Sequence, residues 1–459
     1  MNNSRLATMI AIVALLLAAV AFAITYSTKK NLGYAGGGGK SEPNLVQDED
    51  RVKNAEERAR MERYVAELQD AKKVVKSFPG PSGETIDCVD VYHQPALSQK
   101  GMEGHVILFE PTTKPPTTQE QRPPEQPQQP SPQPQQPTAQ QQQTISRAEE
   151  PQTPSQLYTL TGQICPEKTA PMARLTMDTL KHFQTLDEFF QKQYMNIQNP
   201  TGGGSGGAAT HEYAHAARSV RNWGAESYLN LWSPYVEKSD EFSLSQIWVV
   251  RGSGSNRETV ETGWQVYRDL YGDWRAHLFI YFTPDNYGSG GCYNLSCRGF
   301  VQVNNTVYIG GGFTVYSSDG GPQYWIKLLW YKDGTEGHWW LRYGDTWVGY
   351  YPRTLFDDNG LRNEADRIDF GGEIVNTRTD NRHTRTDMGS GNWPYQGYGY
   401  AAYQRGLRYV DTSNFYQRAT GLNRSVTNRM CYDLDLLSSS GSWEEYFYFG
   451  GSGLNTSCP

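Results

Sequence analysis

Beyond residue 210 the apolar positions recur with period two. The runs SLSQIWVV, TVETGWQVY, HLFIYFT, QYWIKLLWY, GHWWLRY, TWVGYYP, IDFGGEIV and YFYFGG are short, rich in Trp, Tyr, Val and Ile, and punctuated by Gly, Asp and Asn. Successive side chains of a strand point to opposite faces, so this alternation marks half-buried strands. Closely spaced turn residues join such strands into antiparallel sheets. The pattern predicts an all-β fold, a sandwich of about 250 residues over one core.

Ahead of residue 210 the period changes. Met61, Val65, Leu68, Ala71 and Val75 step by three and four, which predicts an amphipathic helix over 47–77. A second helix is expected in MDTLKHFQTLDEFFQKQYM, within 157–195. Between them lies a short mixed segment at 82–108, containing GETIDCVDVYHQPALSQKG, and then a Pro/Gln-rich stretch at 111–156. Twelve of the 25 prolines fall between 111 and 154, so this stretch cannot build a core and reads as an extended linker. A Gly-rich run, NPTGGGSGGAAT, follows at 199–210.

The first residues add a targeting signal. Arg5 precedes an apolar run at 9–24, and Ala21-Phe22-Ala23 fits a small-x-small cleavage site. The run is short for a full span, so a cleaved signal at 1–23 is expected, with an uncleaved anchor as the alternative. The resulting layout is signal 1–23, an N-terminal part at 24–110, a linker at 111–156, a second part at 157–205 and the β domain at 206–459. A partly helical, linker-rich segment ahead of a secreted β domain reads as a removable propeptide; a permanent interaction arm also fits.

Charge and cysteine content narrow the class. The net charge is −7 with no basic stripe, which argues against a nucleic-acid partner. Six cysteines, Cys88, Cys165, Cys292, Cys297, Cys431 and Cys458, suit an oxidising compartment. Sequons at Asn294, Asn304, Asn423 and Asn455 are compatible with that.

Residues 211–215 read HEYAH, the H-E-x-x-H pattern in which two histidines one helical turn apart bind zinc. A zinc site needs a solid helix and a third ligand. Here the pattern follows a glycine run, and helical character is lost by Trp223-Gly224. His277, His338 and His383 lie singly. The expected role of 211–214 is a first strand; no metal or other cofactor is expected, and a chelator should have no effect.

Two glutamates carry the sharper signal. Alternation places Glu261, Gly263 and Gln265 on one face of a strand, with Val260, Thr262 and Trp264 on the other. Glu373 shares a face with Asp369, Gly371 and Val375. Glycine weakens a strand and marks close approach of a ligand or another backbone. Two facing carboxylates push their pKa values apart, leaving one ionised and one protonated. The first can take a proton from water and the second can protonate a leaving group. Gln265 and Gln246 are candidates for holding the water or the oxyanion. Trp264 and Trp248 could line a substrate pocket or fill the core. The same carboxylates would suit a glycosidase, and on spacing alone each Glu also reads as a solvated strand residue.

The stretches HEYA, GAESYLNLWSPYV, EFSLSQIWV, ETGWQV, LYGD, GCYNLSCRGFVQ, GGEIVN, HTRTDMGSG, CYDL, YFYFGGSG and the final CP run in order across the β domain. In this the chain resembles the neprosin-type glutamic peptidases of the plant secretory pathway. GETIDCVDVYHQPAL and LTGQICPEKTAP resemble the family's activation peptide, so the likeness spans about 80–459 apart from the Pro/Gln insert. The resemblance implies a β-sandwich of two curved antiparallel sheets, similar to a lectin-like jelly roll. It implies a catalytic pair at Glu261 and Glu373, and an acid-active endopeptidase that cuts after proline without a metal. Protein or peptide substrates, proline-rich ones included, and the chain's own propeptide as inhibitor are the implied partners. Secretion to the wall or apoplast, or delivery to a vacuole, is the implied location, with no stable membrane association once the signal is removed. The implied disulfides are Cys292–Cys297 and Cys431–Cys458; Cys88 and Cys165 share the prosegment, where they can pair. HEYA is then a strand motif of the family. A lectin-like carbohydrate or cell-wall binding protein without turnover is the competing reading.

Overall fold

In the computed structural model the described residues are 50–115, 156, 162–192, 210–288 and 290–459. The expected signal, most of the Pro/Gln-rich stretch and residues 193–209 lie outside them. Among the described residues, no helix is long and apolar enough to cross a membrane.

Helix α1 (Ala55–Asp70) begins where the Asn54 side chain accepts the backbone N–H groups of Glu56 and Glu57, which satisfies donors that a helix start leaves open. Met61 and Leu68 are its buried positions. It is shorter than the 47–77 expected. After Ala71 the chain turns into β1 (Val74–Pro79), paired antiparallel with β2 (Thr85–Asp90), which pairs in turn with β3 (Thr169–Ala173). Val75, expected on the helix's apolar face, is exposed on this strand. The β-branched pair Val74-Val75 suits a strand, and a partner strand supplies the ladder. The second expected helix is two short pieces, α2 (Met177–Leu180) and α3 (Leu186–Phe190). Thr185 interrupts it, because its hydroxyl caps α3 by accepting the Glu188 N–H at 3.0 Å.

Seventeen strands follow among the described residues. In chain order they are β4 (Thr210–Asn222), β5 (Gly224–Asn230), β6 (Ser243–Arg251), β7 (Glu258–Val266), β8 (His277–Thr283), β9 (Cys292–Tyr293) and β10 (Val301–Gln302). Next come β11 (Trp325–Lys332), β12 (Trp339–Tyr343), β13 (Thr346–Tyr351), β14 (Ala365–Asn376) and β15 (Met388–Gly389). The last are β16 (Ala402–Val410), β17 (Tyr416–Arg418), β18 (Asn423–Val426), β19 (Asp433–Ser438) and β20 (Glu445–Gly451). A seven-stranded sheet has the order β18-β4-β14-β6-β7-β8-β9. A ten-stranded sheet runs β10-β13-β12-β11-β5-β16-β20-β15, with β17 beside β16 and β19 beside β20.

The two sheets share one apolar core. Ile247, Val260 and Trp264 of the smaller sheet pack with Leu229, Leu328 and Trp330 of the larger. The other face of the smaller sheet is also buried, because Met61, Leu68, Phe183 and Leu186 cover Leu244, Trp248 and Phe279 there. Each such side chain contributes about 1.5–3 kcal/mol when fully buried, so the N-terminal region is packed firmly onto this face. Of the sequon asparagines, Asn294 is buried with its Oδ1 accepting the Ile280 N–H, whereas Asn423 is exposed.

Three disulfides are present: Cys88–Cys165, Cys292–Cys297 and Cys431–Cys458. The first closes a loop with a sequence separation of 77 and ties β2 to the approach of β3. A loop of that size is worth about 4.5 kcal/mol in the chain-entropy account. Cys88→Ser with Cys165→Ser is therefore expected to raise hydrogen exchange in β1–β3 while leaving the two large sheets protected. Unchanged exchange in β1–β3 would show that the bridge does not support the small sheet.

Candidate active site

Strand β6 lies between β7 and β14 and sets the geometry. Gln246 is level with Gly263 on one side and Gly371 on the other. Trp248 is level with Glu261, and Leu244 with Glu373. The two glutamates therefore sit diagonally across Gln246, on the face away from the inter-sheet core. A Cβ on Gly263 would lie 1.8 Å from Ser245 O, and one on Gly371 would lie 2.2 Å from Ala214 O. Glycine is required at both positions by the close approach of the next strand.

The side chain of Lys192 enters between the glutamates. Its Nζ lies 2.7 Å from Glu261 Oε2, 2.8 Å from Glu373 Oε2 and 3.2 Å from Gln246 Oε1. An ammonium has three N–H donors and no acceptor, so all three are used. The Trp248 ring lies 5.1 Å from the same nitrogen. Lys192 and both carboxylates are fully buried. The Lys192 N–H donates to Tyr281 Oη at 3.2 Å, and that hydroxyl donates to Phe190 O at 3.3 Å, so one tyrosine holds the incoming backbone.

Each glutamate has its own set of donors. Glu261 Oε1 accepts from Thr259 Oγ1 at 2.8 Å and from Tyr287 Oη at 2.7 Å. Glu373 Oε1 is 2.6 Å from His211 Nδ1, and its Oε2 accepts from Gln246 Nε2 at 3.0 Å. The Tyr213 hydroxyl also hydrogen-bonds Glu373. Tyr287 follows Asn286 in a turn, and both have positive φ, 62° and 56°. That conformation is uncommon for a bulky side chain and tends to be retained at functional sites.

The electrostatics follow from burial among fixed partners. Burial pushes the Glu373 carboxyl up, but Lys192 and His211 outweigh it and hold the group at about 2. Burial pushes the Lys192 ammonium down, and the two carboxylates more than restore it. Burial first and the carboxylates second raise Tyr213 and Tyr287 well above the ordinary phenol value, so both stay donors.

Among the residues singled out from sequence, Glu261, Glu373, Gln246 and Trp248 come together here. Gln265 shares the face but is engaged elsewhere: Tyr271 Oη donates to its Oε1 and its Nε2 donates to Tyr293 Oη. Trp264 is in the inter-sheet core, its indole N–H bonded to Asn230 O at 2.9 Å, so it lines no pocket on this face. The alternation that turns Glu261 toward Lys192 turns Trp264 into the inter-sheet core. His211 and His215 lie on β4 rather than on a helix, and each faces its own carboxylate, Glu373 and Asp369. Residues four apart in a strand are about 13 Å apart, too far to share one zinc ion.

Lys192, His211, Tyr213, Thr259 and Tyr287 were not singled out as site residues. Thr259 and Tyr213 could have been found by extending the face alternation, since Thr259 is two residues from Glu261 and Tyr213 is two from His211. Lys192 has no local signal.

Residues 239–452 match the family model for Neprosin, and residues 77–217 match that for the Neprosin activation peptide. The second match runs into β4 and includes His211 and Tyr213. Among solved structures, scytalido-glutamic peptidase with a peptide-based transition-state analog is similar at 11% identity, covering 53% of this chain and 98% of that one, with a TM-score of 0.29. SCP-B, a member of the Eqolisin family of peptidases in complex with the tripeptide Ala-Ile-His, is similar at 9% identity, covering 53% and 98%, with a TM-score of 0.27. Structural likeness at that level is too loose to bear on the site.

Proposed function

The chain belongs to the neprosin family of glutamic peptidases and carries that family's activation peptide, and we propose that it is a secreted, acid-active endopeptidase whose Glu261 and Glu373 hydrolyse the peptide bond. The region from 24 to about 205 is its prosegment, and Lys192 keeps it latent. We also propose that the two sheets have the curved, lectin-like arrangement of a jelly roll. The observation that carries the catalytic reading is the convergence of two fully buried carboxylates on one ammonium. An ammonium and a water molecule are of similar size, so the attacking water takes the position of Lys192 Nζ in this reading.

With Lys192 withdrawn, two carboxyls remain close together in a buried site, and both cannot stay ionised. The ionised one takes a proton from water as the oxygen attacks the carbonyl carbon. The protonated one supplies a proton to the amide nitrogen as the C–N bond breaks. The second N–H of Gln246 Nε2 and the Tyr281 hydroxyl, released from Phe190 O when the prosegment leaves, provide neutral donors for the developing oxyanion. Aromatic side chains beside the pair, Trp248, Tyr213 and Tyr281, supply faces for a proline ring; a preference for the bond after proline is part of this reading.

Acid should open the latent form. Glu373 is held at about 2 in the presence of Lys192, below the ordinary value of 4.5. His211 stays beside Glu373 when the prosegment leaves, so the share of this depression that Lys192 supplies stabilises the closed state, and that share is lost as pH falls toward 2. Hydrogen exchange of 186–192, corrected for intrinsic rates, should therefore rise steadily from pH 5 downward. A segment equally protected at pH 6 and pH 3 would contradict the mechanism of latency.

The reading is tested by digesting a proline-containing peptide library with acid-processed protein and reading the cuts by mass spectrometry. Cuts clustered after proline support it in full, and cuts elsewhere retain the peptidase but remove the specificity. No cuts, from folded protein freed of its prosegment, would favour a lectin-like binding protein.

A further inference from the structure

His211 stands outside the proposed pair but touches one member of it. Its Nδ1 is 2.6 Å from Glu373 Oε1, and its side chain is only 4% exposed. An ionised carboxylate only accepts hydrogen bonds, so Nδ1 carries the proton and donates. The ring itself is confined: it lies nearly parallel to Tyr213, with centroids 6.1 Å apart, and edge-on to Phe242 at 5.8 Å. The two carboxylates are therefore held differently. Oε1 of Glu373 is committed to a ring that can carry positive charge, leaving Oε2 to face Gln246 and the position of the Lys192 ammonium. Among the described residues the partners of Glu261 Oε1 are hydroxyls, those of Thr259 and Tyr287.

We infer that His211 is a positioning residue that locks Glu373 through Oε1 and aims Oε2 at the attacking water, making Glu373 the base and Glu261 the acid. The inference rests on the proposed Glu261–Glu373 pair. In the resulting step, water oxygen bonds to the carbonyl carbon and one water proton passes to Glu373 Oε2. Glu261 gives its proton to the amide nitrogen and the C–N bond breaks. The products are a carboxylic acid and an amine, and a proton returns from Glu373 to Glu261 through solvent. The charged and titratable groups facing Glu373 are Lys192 in the latent form, His211, Tyr213, Tyr287, Tyr293 and, across β6, Glu261. Lys192 is the ammonium among them, and Arg257 acts on Tyr213 from farther off.

The test uses the full chain carrying His211→Leu, His211→Asn or His211→Gln, each processed in acid by added wild-type enzyme and then separated from it. Turnover is followed on a peptide that the wild type cleaves. Asparagine places an N–H close to the position of Nδ1, whereas glutamine places one near Nε2. A hydrogen bond to a charged group is strong, so His211→Leu should lower kcat by about ten- to a hundred-fold, with KM little changed. Losing a donor to the ionised form raises the carboxyl, so the acid limb of kcat should move to higher pH. His211→Asn should recover most of the loss and His211→Gln should not.

Wild-type kcat and acid limb in His211→Leu would overturn the inference, as would equal recovery by Asn and Gln. If the Leu protein does not fold, the Asn–Gln comparison decides alone. Glu373→Gln is run beside them. If it is inactive while His211→Leu is normal, only the role of His211 fails. If Glu373→Gln turns over normally, the pair itself is wrong and the inference falls with it.

Discussion

Glu261→Gln and Glu373→Gln should each lower kcat by on the order of 10²–10⁴-fold, the usual contribution of a positioned acid or base. Glutamine keeps the shape and one acceptor but can neither give nor take the proton. KM should change less, because the aromatic face that would hold the substrate is untouched. The two losses should not add, since the carboxyls act as a unit. The variants differ in a second respect. At 373 the new amide places its NH₂ against the donors of either His211 or Gln246, so this variant should also be the less stable. At 261 the neighbouring hydroxyls of Thr259 and Tyr287 can turn to accept. Peptide turnover by each purified, folded variant is the measurement, and normal turnover in either would remove that residue from the mechanism.

Lys192→Met should release the prosegment's hold on the site. The ammonium is fully buried and bonded to both carboxylates and to Gln246. Methionine fills a similar volume but leaves two carboxylates facing each other with one cation fewer. Removing one partner from a buried ion pair costs about 3–5 kcal/mol. The cost is smaller at low pH, where one carboxyl takes up a proton. The variant should therefore show exchange in 186–192 near neutrality, where the parent is protected, and its processing should begin at higher pH. The apolar contacts of Phe183, Leu186 and Phe189 remain, so the prosegment should loosen without detaching. A variant as tightly closed as the parent at every pH would assign latency to those apolar contacts instead of to the ammonium.

Much of this arrangement was legible in the chain because it depends on local period. Alternation located the strands that carry Glu261 and Glu373 and assigned their faces, and the adjacent glycines marked the close approach around β6. Trp264 shows the same rule applied too loosely: its alternation with Glu261 already turned it into the core. Helix ends were less legible. The three- and four-residue steps of α1 run on to Val75, but β1 is decided by a partner strand that no local pattern reveals. The remaining site residues arrive from afar in the chain. Lys192 meets Glu261 across 69 positions and His211 meets Glu373 across 162. His211 sits in the HEYAH run, whose coincidental zinc spacing masks its place beside Glu373.

If two carboxyls, one ionised and one protonated, carry out the hydrolysis, kcat/KM of the processed enzyme should follow a bell in pH with its maximum in acid, whose limbs belong to the pair together. The measurement is that pH profile, taken beside the two Glu→Gln variants. Neither variant should retain the bell. A rate that climbs to a maximum near pH 8, or a bell unchanged in either variant, would contradict the paired mechanism.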